Sequence, residues 1–259
     1  MKILFVGEIV AEPGRKAVRQ VLPEVIKKYS PDLVLANAEN SAAGRGVTLD
    51  ILKELQNLGI NYFTGGDHMF WQRGTDEIID DMPVIRPANY PDPTPGKGYV
   101  ILDTGKNGKV LLINLMGRTS FSSLFSYLDD PFRKADEILK EFEGEKFSSI
   151  IVDFHAESSS EKYTLGFYLD GRVDVFIGSH THVPSADGFE LPKGTLYLSD
   201  VGMTGIIDSV LGVKTEIITN LFLTARNQKF EWAESGRKAF RSVLFDTQEK
   251  TIQRIDKIL

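Results

Sequence analysis

All four histidines of the chain come directly after segments that are predicted to be β-strands. His68, His155 and the pair His180 and His182 each follow a short run rich in apolar residues. In α/β proteins ligands bind at the carboxyl ends of the strands, and imidazole is the commonest metal ligand among side chains. The positions of the histidines therefore indicate a metal site at one edge of a sheet.

Oxygen ligands at other predicted strand ends extend this set. Glu8 and Glu39 follow apolar runs, Asn40 stands beside Glu39, and Asp67 precedes His68. A set of oxygen and imidazole ligands suits manganese, iron, zinc or cobalt, whereas calcium prefers oxygen alone. A carboxylate can bridge two ions, and a two-metal centre can stabilise both the attacking and the leaving oxygen of a phosphoryl displacement.

The His180-Thr181-His182 segment adds a geometric expectation. In an extended segment, side chains two residues apart lie on the same side. The two histidines would then face one site, or two adjacent metal ions.

Each of these signals also has a structural interpretation. A His-Xaa-His pair can be incidental, and a carboxylate after a strand commonly caps a helix or forms a turn. His68 stands beside Phe70 and Trp71 and could be a packing residue, and Gly44-Xaa-Gly46 is usually only a turn. The joint occurrence of ligands at five successive strand ends favours the metal site.

Composition limits the other possibilities. The 259 residues carry a formal net charge of −6 and contain no cysteine. An acidic chain argues against a general nucleic-acid-binding surface, and disulfides, thiolate sites and cysteine nucleophiles are excluded. No apolar run approaches the roughly 20 residues that span a bilayer, so we expect a cytoplasmic protein without a membrane partner.

The elements that would position the ligands alternate between strand and helix, which predicts an α/β fold with parallel crossovers. One domain is expected over residues 1–259. Strands are predicted at 3–6, 33–36 and 62–64, and helices near 15–29, 49–58 and 131–142. A proline-rich loop is predicted at 86–96 and a β-hairpin at 99–102 and 110–115. Further strands are predicted to carry His155 and His180, to occupy 195–198 and 216–223, and to form two strands within 239–259.

Several sequence blocks resemble those of the calcineurin-like metallophosphoesterases, and more narrowly the YmdB-type bacterial 2′,3′-cyclic-nucleotide phosphodiesterases. The resemblance extends over residues 1–225. It is carried by Gly7-Glu8-Ile9-Val10, Ala38-Glu39-Asn40, Gly66-Asp67-His68, Asp153-Phe154-His155-Ala156-Glu157 and Gly178-Ser179-His180-Thr181-His182-Val183. Stretches such as Arg86-Pro87-Ala88-Asn89-Tyr90-Pro91 and Asp200-Val201-Gly202-Met203-Thr204-Gly205 are similar to segments particular to the narrower branch.

The resemblance implies the calcineurin-like fold, with β-sheets flanked by helices, and a role for each site residue. One metal ion would be held by Glu8, Glu39, Asn40 and His182. The second would share Glu39 as a bridge and take Asp67, His155 and His180. His68 matches the family's proton donor.

Two positions depart from the family pattern, which has Asp at the position of Glu8 and Asn at the position of Asp67. Glu8 is one methylene longer, so the first ion should shift or bind differently. Asp67 adds a negative charge, so the centre should hold metal more firmly and attract a phosphate anion less strongly.

The implied activity is the hydrolysis of a small nucleotide phosphodiester, with a 2′,3′-cyclic nucleotide as the expected substrate, by in-line attack of a metal-bound hydroxide. Two divalent ions would be the cofactors, with iron or manganese preferred and zinc as a further candidate. Arg118 is a candidate anion contact or simply a surface arginine. A phosphomonoesterase or phosphoprotein phosphatase, and a regulatory protein that has lost activity, remain alternatives. The sequence leaves a homo-oligomer open.

Overall fold

The computed structural model describes the backbone of residues 1–259 and all side chains except those of Ser123 and Leu124. Strands and helices alternate through much of the chain, so the predicted α/β class is confirmed. No described helix is both long enough and apolar enough to cross a membrane.

The first sheet has six strands. They are β1 (Lys2–Val6), β2 (Leu33–Asn37), β3 (Tyr62–Thr64), β4 (Val84–Ile85), β13 (Ser242–Asp246) and β14 (Thr251–Arg254). Their order across the sheet is β14-β13-β1-β2-β3-β4. Strands β1 to β4 are parallel, and β13 and β14 are antiparallel additions at one edge.

The second sheet also has six strands. They are β5 (Tyr99–Asp103), β6 (Lys109–Met116), β7 (Ser149–His155), β8 (Val175–Ser179), β9 (Phe189–Glu190) and β10 (Leu196–Leu198). Their order is β5-β6-β7-β8-β10-β9, in which the four central strands are parallel and the two edge strands are antiparallel. A small third sheet contains β11 (Gly205–Ile206), β12 (Lys238–Phe240) and β15 (Lys257–Ile258).

The two large sheets pack face to face. Apolar residues of β1 and β2, such as Phe5 and Leu35, form one buried cluster with Leu112, Ile151 and Ile177 of the second sheet. The outer faces pack against helices: α1 (Ala11–Tyr29) and α2 (Leu49–Gln56) cover the first sheet, and α4 (Pro131–Glu141) and α5 (Ser159–Leu169) cover the second. The remaining α-helices are α3 (Thr75–Ile78) and α6 (Thr215–Thr224). This sandwich buries both faces of each parallel sheet, which explains the continuous apolar runs of the strands.

Three expectations from the sequence differ from the structure. The predicted strand at 216–223 is wrong, because these residues lie in α6. Its apolar residues Ile217, Ile218, Leu221 and Phe222 recur at helical spacing. The tail at 239–259 contributes to four strands, where two were predicted. Helix α1 begins at Ala11, several residues before the predicted start, because Pro13 is compatible with a first helical turn.

Other local predictions are confirmed. The chain at 86–96 contains neither helix nor strand, and β5 and β6 form the expected antiparallel hairpin. Helix α5 was not predicted, although Ser158 and Glu161 carry a capping pattern, and the Ser158 hydroxyl accepts a hydrogen bond from the Glu161 amide.

Candidate metal centre

The five strand ends that the sequence singled out meet at one edge of the sandwich. Strands β1, β2 and β3 come from the first sheet, and β7 and β8 come from the second. All eight predicted site residues lie in one connected cluster at these ends: Glu8, Glu39, Asn40, Asp67, His68, His155, His180 and His182.

One half of the cluster is built around His155, the last residue of β7. Its Nε2 atom lies 2.9 Å from Asp67 Oδ1, 3.2 Å from Glu39 Oε1 and 3.0 Å from His180 Nδ1. Asp67, His155 and His180 each offer one ligand atom within 4.8 Å of the others. This half contains the residues expected for the second metal ion.

The other half is built around Glu8, whose side chain is fully enclosed. Its Oε2 lies 3.2 Å from His182 Nε2, and its Oε1 lies 3.6 Å from His155 Nδ1. Neither carboxylate oxygen makes a hydrogen bond with the described residues. The cluster of Glu8, Glu39 and His155 also satisfies a ligand geometry, so His155 stands between the two halves.

Three of the four histidines, His155, His180 and His182, each have one ring nitrogen engaged by a residue outside the predicted ligand set. His155 Nδ1 lies 3.1 Å from Ser179 Oγ, His180 Nε2 lies 3.2 Å from Glu157 Oε2, and His182 Nδ1 lies 2.9 Å from the Leu211 carbonyl. Such partners take the ring proton, which leaves the other nitrogen as a lone pair for a metal.

The inward atoms therefore oppose one another as acceptors. The lone pairs of His155 Nε2 and His180 Nδ1 would face each other at 3.0 Å, and that of His182 Nε2 would face Glu8 Oε2 at 3.2 Å. Acceptors at such distances need a proton or a cation between them. The orphaned oxygens of Glu8 and the chemistry of this donor set thus fit divalent metal ions.

The pKa shifts of the cluster point to the same excess of negative charge. Burial raises the pKa of Glu8 well above its usual value, and the charges of Glu39 and Asp67 raise it further. Burial lowers the pKa of His155, but Glu39 and Asp67 outweigh this effect and raise the pKa well above the usual value. Both shifts have the direction expected for buried carboxylates gathered around one imidazole.

His68 occupies the rim of the cluster. Its Nδ1 lies 2.7 Å from Asn40 Oδ1 and its Nε2 lies 3.5 Å from Asp67 Oδ2. The amide group of Asn40 places Nδ2 3.4 Å from Glu39 Oε1 and 3.3 Å from His182 Nε2. Because Asn40 Oδ1 is engaged by His68, the expected role of Asn40 as a metal ligand stays a prediction.

The expectation of an extended His180-Thr181-His182 segment is wrong. The φ angles of His180 and His182 are 95° and 64°, in the left-handed region that non-glycine residues rarely adopt. Both imidazoles nevertheless reach the cluster, because the turn directs them there. Strain of this kind tends to occur at functional sites.

The residues that hold this turn were missed by the sequence reasoning. Asp200 Oδ2 accepts hydrogen bonds from the backbone amide and the hydroxyl of Thr181, at 3.0 and 2.8 Å. The same oxygen pairs with the buried ammonium group of Lys162 at 2.8 Å. Lys162 is only 1% exposed, but nothing in the sequence around it indicates that its partner is a carboxylate far along the chain.

A second support lies beneath His155. The Ser179 hydroxyl donates to Asp153 Oδ1 at 2.7 Å, and the Thr64 hydroxyl donates to the other oxygen of Asp153. The chain Asp153–Ser179–His155 fixes the imidazole ring. Ser179, Asp153 and Glu157 all stand in the sequence blocks that carried the family resemblance, but the sequence assigned them no role.

The close approach of the chain at Gly66 also belongs to the site. A Cβ atom at this position would lie 2.3 Å from Glu39 Oε2 and 2.4 Å from the His155 ring. Glycine is therefore needed for the Gly66-Asp67-His68 segment to pass beside the proposed bridging carboxylate.

Among the described residues, Arg118 makes no hydrogen bond or ion pair with a member of the cluster. Its guanidinium group is exposed and lies 3.1 Å from Asp130 Oδ2. This ion pair agrees with the interpretation of Arg118 as a surface residue. The cavity of about 420 Å³ that opens over the cluster includes another arginine, Arg45, among its lining residues.

Comparison with known proteins identifies the family. The family model described as YmdB-like protein matches residues 4–258. The chain belongs to the YmdB-like family. It is 43% identical, over 100% of this chain and 97% of the relative, to a 2′,3′-cyclic-nucleotide 2′-phosphodiesterase of Bacillus subtilis (strain 168). It is 36% identical to a putative phosphatase/phosphodiesterase of Mycoplasma genitalium, over 98% of this chain and 90% of the relative.

Solved structures agree with this membership. A hypothetical protein from Thermus thermophilus matches 100% of this chain and 99% of its own, with 39% identity and a TM-score of 0.91. A novel phosphatase from Mycoplasma pneumoniae matches 100% of this chain and 93% of its own, with 31% identity and a TM-score of 0.89. The YmdB-like chain thus has the metallophosphoesterase fold that its sequence blocks predicted.

Proposed function

We propose that this YmdB-like protein is a dinuclear-metal-dependent phosphodiesterase that hydrolyses 2′,3′-cyclic nucleotides. The observation that carries the proposal is the set of opposed acceptors, in which His155 Nε2 and His180 Nδ1 lie 3.0 Å apart inside a group of buried carboxylates. The name of the Bacillus subtilis relative supports the substrate class.

Two groups of residues would hold the ions. Glu8, Glu39, Asn40 and His182 would bind the first, and Asp67, His155 and His180 would bind the second together with Glu39. When bound, two divalent ions supply Lewis acidity and an activated water for in-line displacement at phosphorus. Iron or manganese is preferred by the ligand set, with zinc as a further candidate.

The side chains themselves would orient the substrate and move its proton. Asn40 Oδ1 accepts from His68 Nδ1, and His68 Nε2, which lies 3.5 Å from Asp67 Oδ2, is the nitrogen left to face a substrate. A protonated Nε2 would deliver its proton to the departing ribose oxygen. Phe121 lies against His180, with 4.6 Å between ring centroids, and would help to hold that imidazole ring.

The test compares metal-stripped protein with protein reconstituted with Mn²⁺ or Fe²⁺ under anaerobic conditions. We expect hydrolysis of adenosine 2′,3′-cyclic phosphate only after reconstitution, with about two ions bound per chain. The Glu39→Gln variant, which removes the proposed bridge, should lose metal and activity while it remains folded. Full activity of Glu39→Gln would contradict the two-metal assignment.

The alternatives predict different outcomes of the same assay. A phosphomonoesterase would hydrolyse p-nitrophenyl phosphate better than the cyclic diester. A regulatory protein without activity would bind metal and hydrolyse neither compound.

Residues of both large sheets form one cluster, and β13, near the end of the chain, pairs with β1. We therefore also propose one domain over residues 1–259. A cytoplasmic location and the oligomeric state stay predictions from the sequence.

A further inference from the structure

Arg45 is a cation without an anionic partner. None of the ion pairs within 4.0 Å among the described residues involves its guanidinium group, and its buried Nε has no hydrogen-bond partner among them. The guanidinium carbon instead lies 4.5 Å from the centroid of the Trp71 ring and 5.4 Å from that of Phe230. Aromatic faces hold a cation in place and leave its N–H donors free.

The backbone at Arg45 is held as firmly as its side chain. Gly44 and Gly46 both have positive φ angles, 86° and 81°, and a Cβ at either position would clash with Trp232 or Gln72. Gln72 Nε2 donates to the Arg45 carbonyl at 2.7 Å. The Gly44-Arg45-Gly46 turn therefore fixes the arginine in position before any ligand binds.

Arg45 lies on the His68 side of the metal centre. It lines the same cavity as Asp67, His68 and His182, and it is the only lysine or arginine among the described residues that do so. Trp71 separates the two side chains: its ring meets the His68 ring edge-on, with 5.4 Å between centroids. An arginine next to the metal ligands would pair with Glu39 or Asp67, and Arg45 pairs with neither within 4.0 Å.

A second cavity adjoins the first at Arg45, on the side away from the proposed metal centre. This cavity of about 430 Å³ is lined by Arg45, Trp71, Lys229, Phe230 and Trp232 among others. Aromatic faces combined with cations suit nucleosides and the phosphates between them. Arg45 lies at the junction of the two cavities, because it lines both.

We propose that Arg45 binds a second phosphate of the substrate, attached at the ribose 5′ position, beyond the cyclic phosphate that is hydrolysed. In a 2′,3′-cyclic nucleotide the departing oxygen belongs to the ribose, so the 5′ group extends from the leaving-group side, where His68 and Arg45 lie. The preferred substrate then carries two phosphates. This inference rests on the proposed function and names its substrate class.

The kinetic test uses the manganese-loaded protein and three substrates. These are adenosine 2′,3′-cyclic phosphate, the same compound with a 5′-phosphate, and an adenylyl dinucleotide that ends in a 2′,3′-cyclic phosphate. The second and third compounds distinguish a free 5′-phosphate from an internucleotide phosphodiester as the source of the second anion. We expect a higher kcat/KM for at least one of them than for the first.

The variant Arg45→Ala should lower kcat/KM for the preferred two-phosphate substrate by about 10- to 100-fold, as expected for the loss of a charge-assisted hydrogen bond. The value for adenosine 2′,3′-cyclic phosphate should stay within about threefold. Arg45→Lys should recover part of the difference. Arg73→Ala removes an exposed cation from the neighbouring loop that carries Trp71 and Gln72, and it should have no selective effect.

Equal losses on all substrates, or no loss on any, would overturn the proposal. A binding experiment separates this result from failure of the proposed function. By calorimetry, the manganese-loaded wild-type protein should bind adenosine 3′,5′-bisphosphate at least about 10-fold more tightly than adenosine 3′-monophosphate. That gap should disappear in Arg45→Ala and persist in Arg73→Ala. A gap that survives in Arg45→Ala rejects the role of Arg45 even if the protein hydrolyses nothing.

Discussion

At the scale of single residues, Glu8 and Asp67 differ in type from the residues of the family pattern, yet both side chains lie in the cluster. Asp67 Oδ1 lies 2.9 Å from His155 Nε2 and 3.4 Å from His180 Nδ1, where an amide oxygen could also reach. Glu8 reaches His182 with its longer side chain. The expected shift of the first ion by Glu8 and the extra negative charge contributed by Asp67 both stay predictions.

We predict that Asp67→Asn raises the affinity for phosphate or vanadate and weakens the retention of metal. Removing one negative charge makes the loaded centre more positive, so it attracts anions more strongly and divalent cations less strongly. Inhibition constants for vanadate, measured together with metal content after dialysis, check both effects. Tighter metal combined with weaker anion binding would contradict the charge argument.

We predict that His68→Ala keeps both metals but hydrolyses a diester with an alkoxide leaving group about 10²–10⁴-fold more slowly. The ring contacts Asn40 Oδ1 and lies at the rim, so its loss should remove a proton donor and leave the ligands in place. With a nitrophenolate leaving group, which departs without a proton, the defect should shrink. An equal defect on both substrates, or loss of metal, would make His68 a ligand or a positioning residue and not the acid.

At the scale of elements, the site depends on helix α5 and on the turn after β8. Lys162 of α5 pairs with Asp200, and Asp200 in turn binds the Thr181 amide between the two strained histidines. A buried charge that loses its partner costs about 3–5 kcal/mol. The pair thus couples the stability of the second sheet to the position of His180 and His182.

We predict that Lys162→Met lowers the free energy of unfolding by about 3–5 kcal/mol and reduces metal retention. Combining it with Asp200→Asn should recover part of the stability, because no unpaired charge remains. Urea unfolding and metal analysis measure the two effects. Lys134→Met, in the exposed pair with Glu137 on α4, is the matched control and should cost less than about 1 kcal/mol. A purely additive double variant would exclude the pairing.

At the scale of the whole molecule, the centre joins the two sheets. Glu8, Glu39 and Asp67 come from the first sheet, and His155, His180 and His182 come from the second. The proposed ligands, which come from both sheets, would meet only in the folded state. Metal binding should therefore stabilise the complete sandwich against unfolding.

We predict that Mn²⁺ at about 100-fold excess over its Kd stabilises the protein by about 2.7 kcal/mol. For a chain of this size that corresponds to an increase in Tm of roughly 5–10 °C. Thermal unfolding followed by circular dichroism, with EDTA as the reference, measures the shift. Glu39→Gln should show little of it, and an identical shift in that variant would place the stabilising ion elsewhere.

The sequence by itself determined the identity of the candidate ligands and the class of fold. Apolar runs that end in Glu8, Glu39, His155 and His180 predict strands buried on both faces, and the ends of parallel strands gather at one edge of a sheet. These signals are local in sequence. They also sufficed for the family resemblance, because the ordered blocks coincide with the strand ends.

Only the tertiary structure decided how those residues are held. The partnership of Lys162 with Asp200, the support of His155 by Ser179 and the position of Arg45 between Trp71 and Phe230 all join segments far apart in the chain. The left-handed turn at His180 and His182 is likewise stabilised from outside the segment. Periodicity reports which side of an element is buried, whereas these contacts depend on how two sheets and their loops pack against each other.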